Sequence, residues 1–169
     1  SLRLFNEQGY RNVTMRAIAD ALSISVGNLT YHFAKKQDIV AALMDDVFAQ
    51  MTATADMPAA SLAQIDSLFS MMLDTLERCA FFFLDNELKQ ENGPLHLAHH
   101  THLRARLIDG LNALAEQGFF IESFTPEVCR TLIQILLMSH MTWLKQTVRG
   151  TDKNAMSKTE FLRAHWLVL

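Results

Sequence analysis

Apolar residues recur three and four positions apart along most of the chain, the period of helices packed on one side, and no stretch alternates with the period of a strand. The pattern therefore predicts an all-α protein. Leu2, Leu4 and Phe5 belong to a first helix that Gly9 ends, and that helix is already under way at the start, so a preceding segment is expected. Ile18, Ala19 and Leu22 mark a short second helix capped by Thr14. Ser23-Ile24-Ser25 breaks the period, and Ser25 is placed to cap a third helix whose Val26, Leu29 and Phe33 share one side. A long fourth helix, about 36 to 54, has a stripe of Ile39, Val40, Leu43, Val47, Phe48 and Met51, with Asp38 in its first turn. A break is expected over Ala53 to Pro58. A fifth helix, about Ala59 to Ala80, carries Leu62, Ile65, Leu68, Phe69, Met72, Leu73 and Leu76 on a broad face, and Phe81-Phe82-Phe83-Leu84 continues or bends it. Asn92-Gly93-Pro94 reads as a stop. A sixth helix spans Leu95 to Gln117 and ends at Gly118. Thr125-Pro126-Glu127 opens a seventh that runs to about Arg149, and an eighth covers about 155 to 169.

The third helix has an unusual outer face. Asn28, Thr30, Tyr31 and His32 lie largely opposite its apolar side, and hydrogen-bonding side chains there suit a helix lying in a DNA major groove. Thr14, Ile18-Ala19, Ser23, Ser25, Gly27, Leu29, Tyr31-His32-Phe33 and Lys36 together resemble the helix-turn-helix of the TetR family of bacterial transcriptional regulators. The resemblance covers residues 1 to about 50. Two positions depart from the pattern: Thr30 replaces the usual first aromatic after Leu29, and Lys35 replaces the frequent Ser or Asn cap. The resemblance implies a DNA-binding domain over 1–38, a ligand-binding and dimerisation domain over 39–169, and phosphate contacts from Thr14 and Lys36. It also implies a four-helix dimer interface built from the last two long helices, which are apolar nearly all round.

The side-chain chemistry adds detail. Thr14 and Ser25 stand at helix starts, where free amides favour an anion. Arg16, Asn28, Thr30 and Tyr31 are the candidates for base edges, since Asn pairs bidentately with adenine and a Thr methyl meets a thymine methyl. Val26 and His32 complete the expected contact set. Gly27 costs a helix about 1 kcal/mol against Ala, for which close approach of the backbone to DNA is a return.

Charge changes the picture only once it is divided. The 169 residues carry a net charge of −3, which looks unfavourable for a DNA binder. Residues 1–36, however, hold five basic groups (Arg3, Arg11, Arg16, Lys35, Lys36) against two acidic ones (Glu7, Asp20), and the remainder holds ten against sixteen. Phosphate attraction needs a local basic face rather than a basic protein. Half the residues are apolar and mean hydropathy is +0.09, with three prolines and six glycines, a compact helical composition. No apolar run reaches the ~20 residues of a membrane span, and no secretory signal is read. Cys79 and Cys129 lack metal spacing and read as two free core thiols of a cytoplasmic protein.

The His96-Leu97-Ala98-His99-His100-Thr101-His102 run invites a metal reading, because His96, His99 and His100 share a helical face. No Cys pair lies near it, and a solvated helix face with aromatic contacts is preferred, so no metal or other cofactor is assigned. Phe69, Met72, Leu76, Phe81, Phe82, Phe83, Leu107, Leu111, Leu136, Met138, His140 and Trp143 are the candidate walls of a cavity in the C-terminal domain. Their Met and Phe content favours a small apolar or aromatic effector. No phosphate loop or suitably spaced acid and nucleophile is present, so no enzyme is expected. The reading is a homodimeric, ligand-responsive repressor binding a palindromic operator in double-stranded DNA. A ligand-independent, nucleoid-associated DNA binder of the same fold is the alternative.

Overall fold

A computed structural model describes residues 1–55, 61–91, 93–120, 124–148 and 155–168. Among them are ten helices and no strand: α1 (Leu2–Gln8), α2 (Met15–Ala21), α3 (Val26–His32), α4 (Lys36–Ala55), α5 (Leu62–Arg78), α6 (Ala80–Leu84), α7 (Asn86–Glu91), α8 (Gly93–Glu116), α9 (Pro126–Val148) and α10 (Lys158–Val168). No described helix is long and apolar enough to cross a membrane.

Local signals set most of the boundaries. Ser61 caps α5, its hydroxyl oxygen accepting from the Gln64 amide at 3.3 Å. Thr125 does the same for α9, accepting from Val128 at 3.3 Å, with Pro126 at the first helical position. After α8, Gly118 takes φ of 80°, and the Phe119 amide reaches back to Leu114 O at 3.1 Å. The α2–α3 turn uses the same wrap without a glycine. Ser23 sits at φ 55°, its amide bonds Asp20 O, and the Ile24 amide bonds Ala19 O at 3.0 Å.

Three expectations change. The fifth helix, expected to end near Ala80 with residues 81–84 continuing or bending it, is interrupted at Cys79, which has a non-helical backbone, and α6 follows as a separate helix. Six polar-rich residues form α7, too short to show an apolar period. A helix does end at Glu91, ahead of the stop expected at 92–94, but α8 begins at Gly93 rather than Leu95, with Pro94 in its first turn, a place where proline loses no needed amide bond. Of the break expected over 53–58, residues 53–55 belong to α4 and 56–58 lie outside the described residues, as do Asn92 and the helix end expected at Arg149.

Two buried clusters organise the molecule. One joins Phe5, Ile18, Leu29, Val40 and Met44 of the first four helices to Leu73, Phe81, Phe82 and Trp143. The other packs Ile65, Phe69, Leu107, Leu111 and Ile133 between α5, α8 and α9. The domain boundary expected at 38/39 falls in the first turn of α4, and the first cluster spans it. Cys79 and Cys129 are both free and buried.

Ser23 predicts a stability gain. Replacing it with glycine, which adopts a positive φ without steric cost, stabilises the fold by about 0.5–1 kcal/mol. Urea midpoints of S23G against the parent chain measure this.

Candidate nucleic-acid interface and effector cavity

The helix-turn-helix presents its polar side outward. Thr14 Oγ1 accepts from the Ala17 amide at 3.1 Å and caps α2; Ser25 Oγ accepts from the Asn28 amide at 3.0 Å and caps α3. Each hydroxyl keeps its proton for an outside acceptor. Ile18, Ala19 and Leu29 are buried beneath, and Ile24 and Phe33 pack against the same core. Asn28, Thr30, Tyr31 and His32 are exposed, and Tyr31 is 84% exposed with its ring edge-on to His32 at 5.1 Å. The Arg16 guanidinium meets Asp20 only at 3.9 Å, both largely in solvent, a pairing too weak to hold it. A Cβ added at Gly27 would meet nothing nearer than Ser25 Oγ at 3.9 Å, so the fold itself does not demand the glycine.

Val26, read on the apolar side yet counted in the contact set, is 38% exposed and lies outward. Two assignments shift. Thr30 turns its hydroxyl back to Val26 O and Gly27 O at 3.0 and 3.2 Å, so its hydroxyl proton is spent on its own helix. Lys36 changes most. Its Nζ donates to Tyr10 O at 2.5 Å and Val13 O at 2.7 Å, and lies 4.2 Å from the Tyr10 ring centroid. Partial burial lowers its pKa. An ammonium with two of its three protons on backbone carbonyls and its charge over a ring is a clamp for the α1–α2 connection, with one proton left for an outside acceptor. Its neighbour Lys35 is exposed at the cap of α4, where the Asp38 carboxylate accepts from the Lys35 amide at 3.0 Å and replaces the missing Ser or Asn cap.

A cavity of about 150 Å³ lies in the C-terminal domain between α4, α5, α6, α8 and α9. Met72, Leu76, Phe83 and His140 line it, as expected. Phe69, Phe82, Leu107, Leu111 and Trp143 do not; they are buried in the two cores, as are Phe81 and Leu136. Met138 points away from the core and is 63% exposed. Sequence reasoning missed the α4 wall (Phe48, Met51, Thr52) and the wall formed by Thr75, His99, His100, Leu103, Leu137 and Met141. The histidine run is thus not simply a solvated face. His99 Nδ1 is 3.0 Å from Thr52 Oγ1, its ring stacks on Phe48 at 4.8 Å, and burial lowers its pKa. The His96 side chain lies outside the described residues. His140 is 1% exposed. Its Nδ1 faces Leu136 O at 2.5 Å, and its Nε2 has no protein partner.

An exposed polar recognition helix, two hydroxyl-capped helix starts and a packed apolar underside define a helix-turn-helix DNA-binding head. Residues 1–43 match the family described as bacterial regulatory proteins, tetR family. Over 152 residues the chain is 28% identical to the HTH-type transcriptional repressor KstR2 of Mycobacterium tuberculosis (strain CDC 1551 / Oshkosh), covering 84% of this chain and 76% of that protein. A TetR-family transcriptional regulator from Marinobacter aquaeolei VT8 shares the fold with a TM-score of 0.74 at 22% identity, covering 99% of this chain and 94% of the other. The TetR-family regulator PfmR from Thermus thermophilus does so with a TM-score of 0.70 at 20% identity, covering 99% and 93%. Residues 1–43 thus carry a TetR-type DNA-binding head, and the chain as a whole shares the fold of TetR-family regulators.

The clamp role of Lys36 makes a prediction distinct from a phosphate contact. K36M loses stability by about 1–3 kcal/mol, because two carbonyls lose a charged donor, and leaves the slope of log K against log salt unchanged. K35A keeps stability and flattens that slope by about one unit. Denaturation curves and fluorescence anisotropy at several salt concentrations separate the two.

His140 makes a second. Burial pushes its imidazole from 6.5 down to about 4. Above pH 6.5 the ring is neutral folded or unfolded. Below it the unfolded chain takes a proton that the folded chain refuses until about pH 4, so stability falls over that window by about 3 kcal/mol. Urea midpoints from pH 7 to 4.5 record the loss, and H140F removes that share of it.

Proposed function

We propose that the protein is a ligand-responsive repressor that binds a palindromic operator as a homodimer. The observation carrying this reading is the exposed α3 face, Asn28 to His32, mounted on a core that runs without interruption into the domain holding the cavity. The cavity favours an effector-controlled regulator over a ligand-independent architectural binder, and the relative named as a repressor supports the sign of control. A second face supports dimerisation. Val128, Ile135 and Met138 lie along α9 with their side chains in solvent, Ile135 at 52% exposure, and a symmetry-related copy would bury this apolar stripe.

In such a dimer the two α3 helices enter successive major grooves about 34–36 Å apart. Control follows α4. Its Phe48, Met51 and Thr52 form one wall of the cavity, and its first residue, Lys36, holds the head through Tyr10 and Val13. From Lys36 to Thr52 the helix spans about 24 Å. An occupant that displaces that wall displaces the head and changes the separation of the two α3 helices. Reversing a 99:1 preference for the DNA-competent state requires about 5.5 kcal/mol of differential binding.

Selection of bound sequences from random DNA tests the core of this reading and should return an inverted repeat. N28A should alter the preferred bases and leave the salt slope unchanged. I135D should sediment as a monomer and bind the selected DNA at least tenfold more weakly. Recovery of an asymmetric site, or full affinity from a monomeric I135D, overturns the dimeric assignment.

A further inference from the structure

We propose that the cavity takes a neutral monocyclic phenol, its ring among the apolar walls and its hydroxyl donating to Nε2 of His140. The inference rests on the reading of this cavity as an effector site and specifies the chemistry of the occupant.

Size comes first. A cavity of about 150 Å³ is the volume that holds a single benzene ring in an apolar protein interior. The walls suit an aromatic occupant: Phe48 and Phe83 supply ring faces and edges, and Met51, Met72 and Met141 supply polarisable sulfur. No Lys, Arg, Asp or Glu lines the space, and burial lowers the pKa of its three histidines, His99, His100 and His140, which disfavours the cationic form that would balance an anionic ligand.

Hydrogen bonding then fixes the polar group. Leu136 O can only accept, so the His140 nitrogen 2.5 Å from it, Nδ1, carries the proton. The neutral ring has one N–H, and Nε2 is left as a bare lone pair. That atom is buried and has no partner in the protein, a rare condition for a buried acceptor. Burial keeps the ring neutral at physiological pH, so it does not become a second donor. The complement of a neutral buried acceptor is a neutral donor. A carboxylate or ether oxygen would face lone pair against lone pair; a phenolic O–H is a strong donor attached to a ring of the fitting size.

The test is a calorimetric titration of the full chain with phenol, anisole, toluene and benzoate, paired with anisotropy of a selected operator fragment. Anisole keeps the oxygen and lacks the donor. Phenol should bind at least tenfold tighter than anisole or toluene, benzoate should not bind, and H140F should bring phenol to the level of toluene. The ligand series on the parent chain decides the matter even if H140F fails to fold. Anisole or toluene equal to phenol, binding of benzoate, or no binding by any of the four overturns the proposal. If anisole and toluene release DNA as well as phenol does, the effector reading stands and the phenol assignment falls. If phenol binds selectively and DNA affinity does not move, the assignment stands and the regulatory reading falls.

Discussion

The side-chain amide of Asn6 repairs the helix break on which the docking of the head depends. Where α5 gives way to α6 around Cys79, the backbone carries groups that no helix pairs. Asn6 Nδ2 donates to Arg78 O at 2.8 Å, and the Phe81 amide donates to Asn6 Oδ1 at 3.0 Å. One residue of α1 thereby satisfies both sides of a bend in the other domain. Phe5, its neighbour, packs on Phe81 with centroids 5.0 Å apart, and Arg11 pairs with Glu87 at 2.5 Å on the rim. The head is therefore seated on the bend by apolar contact and by backbone hydrogen bonds that have no other partner. Moving it rigidly away would expose polar groups as well as apolar surface, which ties its orientation to the course of α5 and α6.

Much of this architecture was legible in the sequence because short-range chemistry governs it. The Thr14 and Ser25 caps, the small-residue turn at Ser23, the Gly118 stop and the Thr125-Pro126 start each act within four residues, and a linear pattern displays them. The inward contacts of Lys36 were hidden for the opposite reason. Its partners, Tyr10 O and Val13 O, lie more than twenty residues away, and a lysine drawn inward by carbonyls has the same sequence signature as one reaching for phosphate. The Cys79 break was ambiguous because the apolar residues on either side, Leu76 and Phe82, continue without a polar gap.

The cavity shows a different limit. Helical period tells which side of a helix faces inward, and Phe69, Phe82, Leu107 and Leu111 do face inward. It does not tell where facing side chains leave space. That depends on the meeting of α4 with α8, and Phe48, Met51 and His99 come together there from positions some fifty residues apart. The histidine run was read as a solvated face with aromatic contacts, but its partner could not be named for the same reason: His99 stacks on Phe48 of α4, some fifty residues away.

The Asn6 contacts carry a consequence that runs opposite to the usual direction of control. If an occupant of the C-terminal domain alters the free energy of operator binding, the operator must alter the free energy of that occupant by the same amount and sign, since equilibrium coupling between two sites is mutual. Double-stranded DNA would then act as a ligand that reads, through α1 and the bend it braces, the state of an interior it never touches.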